Sequence, residues 1–228
     1  NIVKMTISDP SPLNNNGRLD PGETVSFKFE VSNTGHADAQ NTSAILNSPT
    51  SFISINNSTI NLNNFTKGST NELTYTVTAN NSAATGDSYL LNFNLNSQPY
   101  SVQQSYNTFI GLMAENFETS NFTKYNWDTI DNQPWTITSS GAFEGSYCAK
   151  SGAIPDMDTT AISISIDVLT NDSISFYRKV SSENNYDYLN FFIDNVKVAR
   201  WAGTKSWAKV AYAITPGHHI LKWNYIKD

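Results

Sequence analysis

Apolar and polar residues alternate with a period of two along many short segments of the 228-residue chain. The alternation is clear at residues 25–31, 73–77 and 89–95, and it continues at residues 162–168 and around 174–180. Because successive side chains of a strand point to opposite faces of a sheet, such runs predict half-buried strands. We therefore predict an all-β protein in which helix makes up less than about a tenth of the residues.

Clusters of turn-forming residues separate these runs, as at Asn33-Thr34-Gly35 and Thr85-Gly86-Asp87. Short strands divided by such turns are typical of antiparallel sandwiches. The texture of the sequence changes near Leu112, beyond which all five tryptophans lie. We predict two tandem antiparallel β-sandwiches, one in residues 1–112 and one in residues 113–228.

The composition argues against several classes of partner. The formal net charge is -6, and the 14 Lys and Arg residues are scattered, so the sequence has no basic stripe for nucleic acid. No run of about 18 apolar residues occurs, which predicts no membrane insertion. The N-terminal residues also lack the pattern of an export signal. We expect the chain to be a fragment of a longer exported protein.

Two sets of motifs carry a resemblance to known modules. Residues 9–23 with Asn33-Thr34-Gly35 resemble the immunoglobulin-like domain that follows the catalytic unit of gingipain-type bacterial surface peptidases. The second half resembles a jelly roll akin to their cleaved-adhesin domains and to MAM-like modules. The segments that carry this second resemblance are Phe117-Glu118, Pro134-Trp135, residues 144–147, 176–183 and 186–189, and Gly217-His218-His219.

The resemblance implies an immunoglobulin-like sandwich followed by a jelly roll that is truncated at its C-terminus. It implies a secreted or cell-surface location, and a parent protein whose catalytic domain, a cysteine peptidase, lies upstream. It implies adhesion to an extracellular protein or glycan. A structural spacer between a catalytic domain and a surface anchor, or a carbohydrate-binding module, is the alternative.

The segment from Asn14 to Glu23 has the spacing of an EF-hand-like calcium loop. Such a loop places oxygen ligands at positions one, three, five, nine and twelve and a glycine at position six. With Gly17 at position six, the ligand positions fall in order on Pro12, Asn14, Asn16, Asp20 and Glu23. Pro12 has no side-chain ligand, and Asp9 can supply the missing carboxylate. We expect modest calcium affinity, because Asn replaces Asp at two positions.

The same segment is equally compatible with a pair of plain turns. The Asn side chains would then hydrogen-bond their own backbone, Gly17 would adopt a positive φ, and Pro21-Gly22 would close a second turn. The sequence leaves both interpretations open.

The jelly-roll resemblance points to a second structural calcium where the terminal strands meet. Glu118 and Asp228 are the candidate ligands, and Asp187 or Asp194 could take their place. No ligand spacing supports this site, and solvated loop carboxylates are the alternative.

Aromatic residues of the second half are candidate sugar-binding platforms, since a flat ring with a polar edge suits a pyranose. Trp201 and Trp207 flank Gly203-Thr204-Lys205, a predicted hairpin turn that would expose both rings. With Tyr186 and Asp187 they are the candidate ligand-binding residues. Burial in the core is the alternative, and it is favoured for the tryptophans as a group.

No catalytic motif is present, and we predict no catalytic residue. The single cysteine, Cys148, lies in a strand-like run where we expect it to be buried, and no nucleophile signature surrounds it. No Gly-x-Ser-x-Gly elbow occurs. A glycosidase whose two acids converge from distant strands stays open on the sequence alone. We predict a non-catalytic pair of binding modules.

Overall fold

The computed structural model describes residues 1–9, 13–129 and 131–228. These residues form seventeen strands and no helix, so the all-β prediction is confirmed. The chain divides into two compact units. The first comprises Asn1–Ala114 with Asp167–Thr170, and the second comprises Glu115–Ile166 with Asn171–Asp228.

Within the described residues, no helix is long and apolar enough to cross a membrane.

The first unit is an antiparallel sandwich of two four-stranded sheets, with strand orders β1-β2-β6-β4 and β5-β3-β7-β8. Its strands are β1 (Ile2–Ser8), β2 (Thr24–Ser32), β3 (Ala39–Asn47), β4 (Ile53–Asn56), β5 (Thr59–Phe65), β6 (Thr70–Ala79), β7 (Ser88–Ser97) and β8 (Tyr100–Phe109). The predicted runs at residues 25–31, 73–77 and 89–95 lie inside β2, β6 and β7.

A closed aromatic core joins the two sheets of this unit. Phe29 stacks on Phe93 of the facing sheet with ring centroids 4.3 Å apart, and the edge of Tyr75 contacts both rings. The Tyr75 hydroxyl donates a hydrogen bond of 2.9 Å to the Ala44 carbonyl on the facing sheet. Phe29 and Phe93 are fully buried, and each ring contributes roughly 2–3 kcal/mol of burial free energy.

The second unit has a five-stranded sheet of order β15-β14-β17-β12-β9, a two-stranded sheet of β13 and β16, and a short pair of β10 and β11. Its strands are β9 (Trp127–Asp128), β10 (Thr136–Thr138), β11 (Cys148–Lys150), β12 (Thr159–Val168), β13 (Asp172–Ser181), β14 (Tyr188–Ile193), β15 (Val196–Trp201), β16 (Thr204–Ile214) and β17 (Gly217–Ile226).

In the second unit, aromatic side chains join the five-stranded sheet to the sheet of β13 and β16. Phe176 on β13 packs against Phe191 on β14 at 4.8 Å and against Trp223 on β17 at 5.2 Å. Trp223 thus lies in the core, as its alternation with Tyr225 indicates.

The predicted hairpin at residues 203–205 is wrong. Trp201 ends β15, which pairs with β14, whereas Thr204 begins β16, which pairs with β13. The chain therefore passes from one sheet to another at Gly203, whose φ of 72° permits the sharp turn.

Candidate functional site

The five loop residues predicted to bind calcium lie together in the first unit. Asp9 is buried, with 3% of its surface exposed, and its carboxylate accepts hydrogen bonds from the backbone amides of Asn16 and Gly17. The side-chain amides of Asn14 and Asn16 both donate to one oxygen of Asp20, at 2.6 and 2.7 Å. Glu23 accepts from the Asp20 amide. We call Asp9 with residues 14–23 the acidic loop.

The acidic loop satisfies features of both interpretations. Gly17 has the positive φ of 72° that the sixth position requires, and Asn14, Asn16 and Asp20 lie together, with both Asn amide nitrogens directed at Asp20. The side-chain oxygens of Asn14 and Asn16 also accept hydrogen bonds from the backbone amides of Asn16 and Arg18, as in plain Asx turns. Among the described residues no group of three His, Cys, Asp or Glu side chains forms a metal cluster. Pro10 and Pro12 lie outside the described residues.

Glu118 and Asp228, the second pair of candidate calcium ligands, contact different parts of their unit. One Glu118 oxygen accepts from the amides of Ser146 and Tyr147. The Asp228 backbone carbonyl accepts from the Met157 amide. Glu118 therefore anchors the loop before β11, which is a structural use of its charge.

Three of the four predicted ligand-binding residues differ in how far their side chains are exposed. Trp201 is half-buried against Phe176, with the Arg178 guanidinium 5.4 Å from its ring. Asp187 is 5% exposed and accepts a hydrogen bond from the Tyr225 hydroxyl. Tyr186 is 55% exposed. Of these three, only Tyr186 has most of its surface exposed to solvent.

Trp207, the fourth, belongs to an exposed group of rings on the two-stranded sheet. Since Phe176 points into the core, its neighbour Tyr177 points to the outer face of that sheet. Phe143 stacks on Tyr177 with centroids 3.7 Å apart and an interplanar angle of 16°. Trp207 meets the edge of Phe143 at 6.2 Å, and its indole nitrogen donates to the Gly141 carbonyl at 2.9 Å. We call Phe143, Tyr177 and Trp207 the outer aromatic cluster.

The outer aromatic cluster is open to solvent and bordered by lysines. Phe143 and Tyr177 are 46% and 44% exposed. Lys209 pairs with Tyr177 across the two strands, and a Cβ on Gly141 would lie 3.4 Å from the Lys179 ammonium. The sequence prediction missed Phe143 and Tyr177. For Tyr177 the alternation with Phe176 was the available signal.

Two titratable side chains of the second unit, Cys148 and His219, are partly or largely buried. Cys148 is half-buried on β11, and burial raises the pKa of its thiol, against the opposing effect of Lys179 and Lys150. His219 contacts Asp194 through Nδ1 at 2.6 Å and the Thr215 carbonyl through Nε2 at 2.8 Å.

Both ring nitrogens of His219 thus have partners within the unit. Burial opposes ionisation of Asp194, yet hydrogen bonds from the Ile220 amide and His219 lower the pKa of its carboxyl. The pair holds the turn after β14 against β17.

No family model matches the chain, and no curated protein matches it. Among solved structures it is similar to the secreted serine protease VesC from Vibrio cholerae, at 13% identity over 92% of this chain and 44% of that chain, with a TM-score of 0.31. A protein of unknown function from Porphyromonas gingivalis W83 shares 12% identity over 99% of this chain and 84% of its own chain, with a TM-score of 0.30.

A Pleurotus ostreatus lectin, solved in complex with GalNAc, shares 13% identity over 100% of this chain and 74% of its own, with a TM-score of 0.22. The chain spans less than half the length of the Vibrio protease. TM-scores this low support no conclusion about the function of this chain.

Proposed function

We propose that the chain is a non-catalytic binding segment of a secreted, surface-attached bacterial protein. Its second unit would hold an extracellular glycan or protein at the outer aromatic cluster. The observation that carries this proposal is the Phe143–Tyr177 stack, which leaves two large rings nearly half exposed on the outside of a sheet.

Exposed aromatic rings that are held in a fixed geometry favour a carbohydrate ligand. The apolar face of a pyranose packs on a flat ring, while its hydroxyls reach polar groups at the ring edges. Here Trp207 fixes the loop that carries Phe143, because its indole donates to Gly141. Lys179 and Lys209 then supply donors at the border of the cluster.

The calcium assignment and the nature of the parent protein are further parts of the proposal. The acidic loop would hold a structural calcium through Asn14, Asn16 and Asp20, with Asp9 and Glu23 completing the oxygen set. The parent would be a gingipain-type peptidase with an upstream catalytic domain, which rests on the motif resemblance.

A glycan microarray probed with the fluorescently labelled chain tests the binding function. We expect wild-type protein to bind a subset of glycans, and Tyr177→Ala and Trp207→Ala to weaken that binding at least about tenfold, as loss of a stacking ring predicts. Tyr100→Ala is the matched control, since Tyr100 is 78% exposed in the first unit. Equal loss for Tyr100→Ala, or full binding by both cluster variants, would contradict the proposal. Wild-type protein that binds no glycan would favour the spacer alternative.

A further inference from the structure

A second surface of the same unit lies on the outer face of the five-stranded sheet. Asn190 on β14 pairs with Arg200 on β15 and with Asn224 on β17. Paired residues of neighbouring strands project from the same face. The next residue, Phe191, points into the aromatic core, so the row of Arg200, Asn190 and Asn224 lies on the face away from that core.

Asn190 is the unusual member of this row. It is 3% exposed although it lies on the outer face, and its Oδ1 atom has no hydrogen-bond partner. The adjacent Asn224 amide, by contrast, donates to the Thr159 hydroxyl at 2.6 Å. Buried polar atoms without a partner are rare and call for an explanation, of which a ligand group is one.

Two aromatic rings with cations above them flank Asn190. The Arg200 guanidinium lies 4.7 Å from the Tyr188 ring centroid, and the Lys222 ammonium lies 4.8 Å from that of Phe192. Tyr188 and Phe192 stand two positions before and after Asn190 on β14, and therefore on its face. Cation–π contacts hold both charges close to the sheet surface.

Two cations, Arg200 and Lys222, thus lie beside Asn190 although the whole chain carries -6. Lys197 pairs with Phe192 and adds a third cation. The carboxylates at the two ends of β14 are already engaged, since Asp187 accepts from Tyr225 and Asp194 contacts His219. Asp128 lies on β9, at the opposite edge of the sheet, where it pairs with Ser163. That edge is three strand spacings, or about 14 Å, from β14.

We infer that this surface binds a carboxylate-bearing saccharide. The planar Arg200 guanidinium suits two-point binding of a sugar carboxylate. Lys222 lies two strands across and two residues along from it, or about 12 Å away, and suits the charge of a neighbouring acidic residue. Asn190 lies between these two cations. Its side-chain amide would pair with a hydroxyl of the sugar, which can donate or accept a hydrogen bond. This surface is separate from the outer aromatic cluster, so the inference goes beyond the proposed function.

Titration calorimetry of the whole chain tests the inference with four probes: oligogalacturonate, sialyllactose, neutral lactose and polyglutamate. We expect binding to at least one of the two acidic saccharides and no measurable binding of lactose. The two acidic arms distinguish a uronate polymer from a terminal sialic acid. Stronger or equal binding of polyglutamate would show that charge alone is recognised and would overturn the saccharide assignment.

Variants locate the site on this face. Arg200→Gln and Lys222→Gln should each weaken acidic-saccharide binding at least about tenfold, whereas Lys67→Gln removes the same charge from an exposed position in the first unit and should change it less than twofold. Asn190→Leu should weaken binding without lowering the melting temperature, because it removes an unpartnered polar atom. Tyr177→Ala should leave this binding unchanged, which separates it from the proposed function. Absence of wild-type binding, or equal effects of Arg200→Gln and Lys67→Gln, would overturn the inference.

Discussion

The two units use their aromatic residues in opposite ways. In the first unit Phe27, Phe29, Tyr75, Tyr89 and Phe93 are all at most 1% exposed, and Tyr100 at the tip of the β7–β8 hairpin is the clear exception. In the second unit Phe191 is fully buried, but Phe143, Tyr177 and Tyr186 are 44–55% exposed. One unit thus encloses its rings between two sheets, and the other presents several of them to solvent.

The difference follows from how the sheets cover each other. Two four-stranded sheets bury each other's inner faces, so nearly every inward ring of the first unit meets a partner. In the second unit a short loop that includes Gly141 and Phe143 contacts the outer face of the two-stranded sheet and leaves Tyr177 there 44% exposed. Rings on an uncovered face contribute little to stability, and we therefore expect them to serve binding.

The largest expected effect comes from breaking the closed core. Phe29→Ala should lower the free energy of unfolding by about 3–5 kcal/mol, because it leaves a cavity between two facing sheets. The matched change Phe143→Ala on the exposed stack should cost less than about 1 kcal/mol. Urea denaturation followed by circular dichroism measures both. Tryptophan fluorescence helps to assign the transitions, since all five tryptophans lie in the second unit. Equal losses for the two variants would contradict the contrast between the units.

A smaller effect is expected at the acidic loop. Asp9→Ala should destabilise the protein by about 1–3 kcal/mol, because the amides of Asn16 and Gly17 lose the buried carboxylate that accepts them. Asp38→Ala is a suitable control, since the Asp38 carboxylate accepts a single amide, that of Lys67, in an exposed contact. Denaturant midpoints that are equal for the two variants would show that the loop is held by its turns alone.

Calcium should sharpen this result. An ion that binds only the folded state stabilises it by mass action, about 1.4 kcal/mol at tenfold excess over the dissociation constant. We therefore expect a rise of a few degrees in melting temperature between chelator and millimolar calcium, and no rise in Asp20→Ala. Magnesium at the same concentration is the control for ionic strength. Identical melting with and without calcium would leave the plain-turn interpretation of residues 14–23.

Period-two alternation located five of the seventeen described strands, but not the partners of those strands. All five predicted runs lie inside strands, because the pattern depends only on which side chains are buried. Pairing across sheets depends on distant segments, and this is why Gly203 was mistaken for the turn of a hairpin. A glycine with positive φ serves a hairpin and a crossing between sheets equally well.

The candidate sites show the same division between local and long-range information. The residues of the acidic loop are close in sequence, so their spacing was sufficient to group them. Phe143 and Tyr177 are 34 positions apart and meet only in the folded unit. Asn190 belongs to none of the alternating runs, and its place on the outer face, its burial and its unpartnered oxygen arise only in the folded unit.

The smallest effect is expected at Cys148, which lies on the short strand β11 of the second unit. Burial raises the pKa of its thiol, although Lys179 and Lys150 partly oppose this. Because only the thiolate reacts with iodoacetamide, alkylation of the folded chain should be slow at neutral pH, and its rate should keep rising with pH beyond about 8.5, the ordinary thiol value. The chain unfolded in guanidinium chloride is the reference. Cys148→Ala should change the free energy of unfolding by less than about 1 kcal/mol and leave glycan binding intact. Alkylation of the folded chain at neutral pH as fast as that of the unfolded chain would mean that Cys148 is an accessible, reactive thiol.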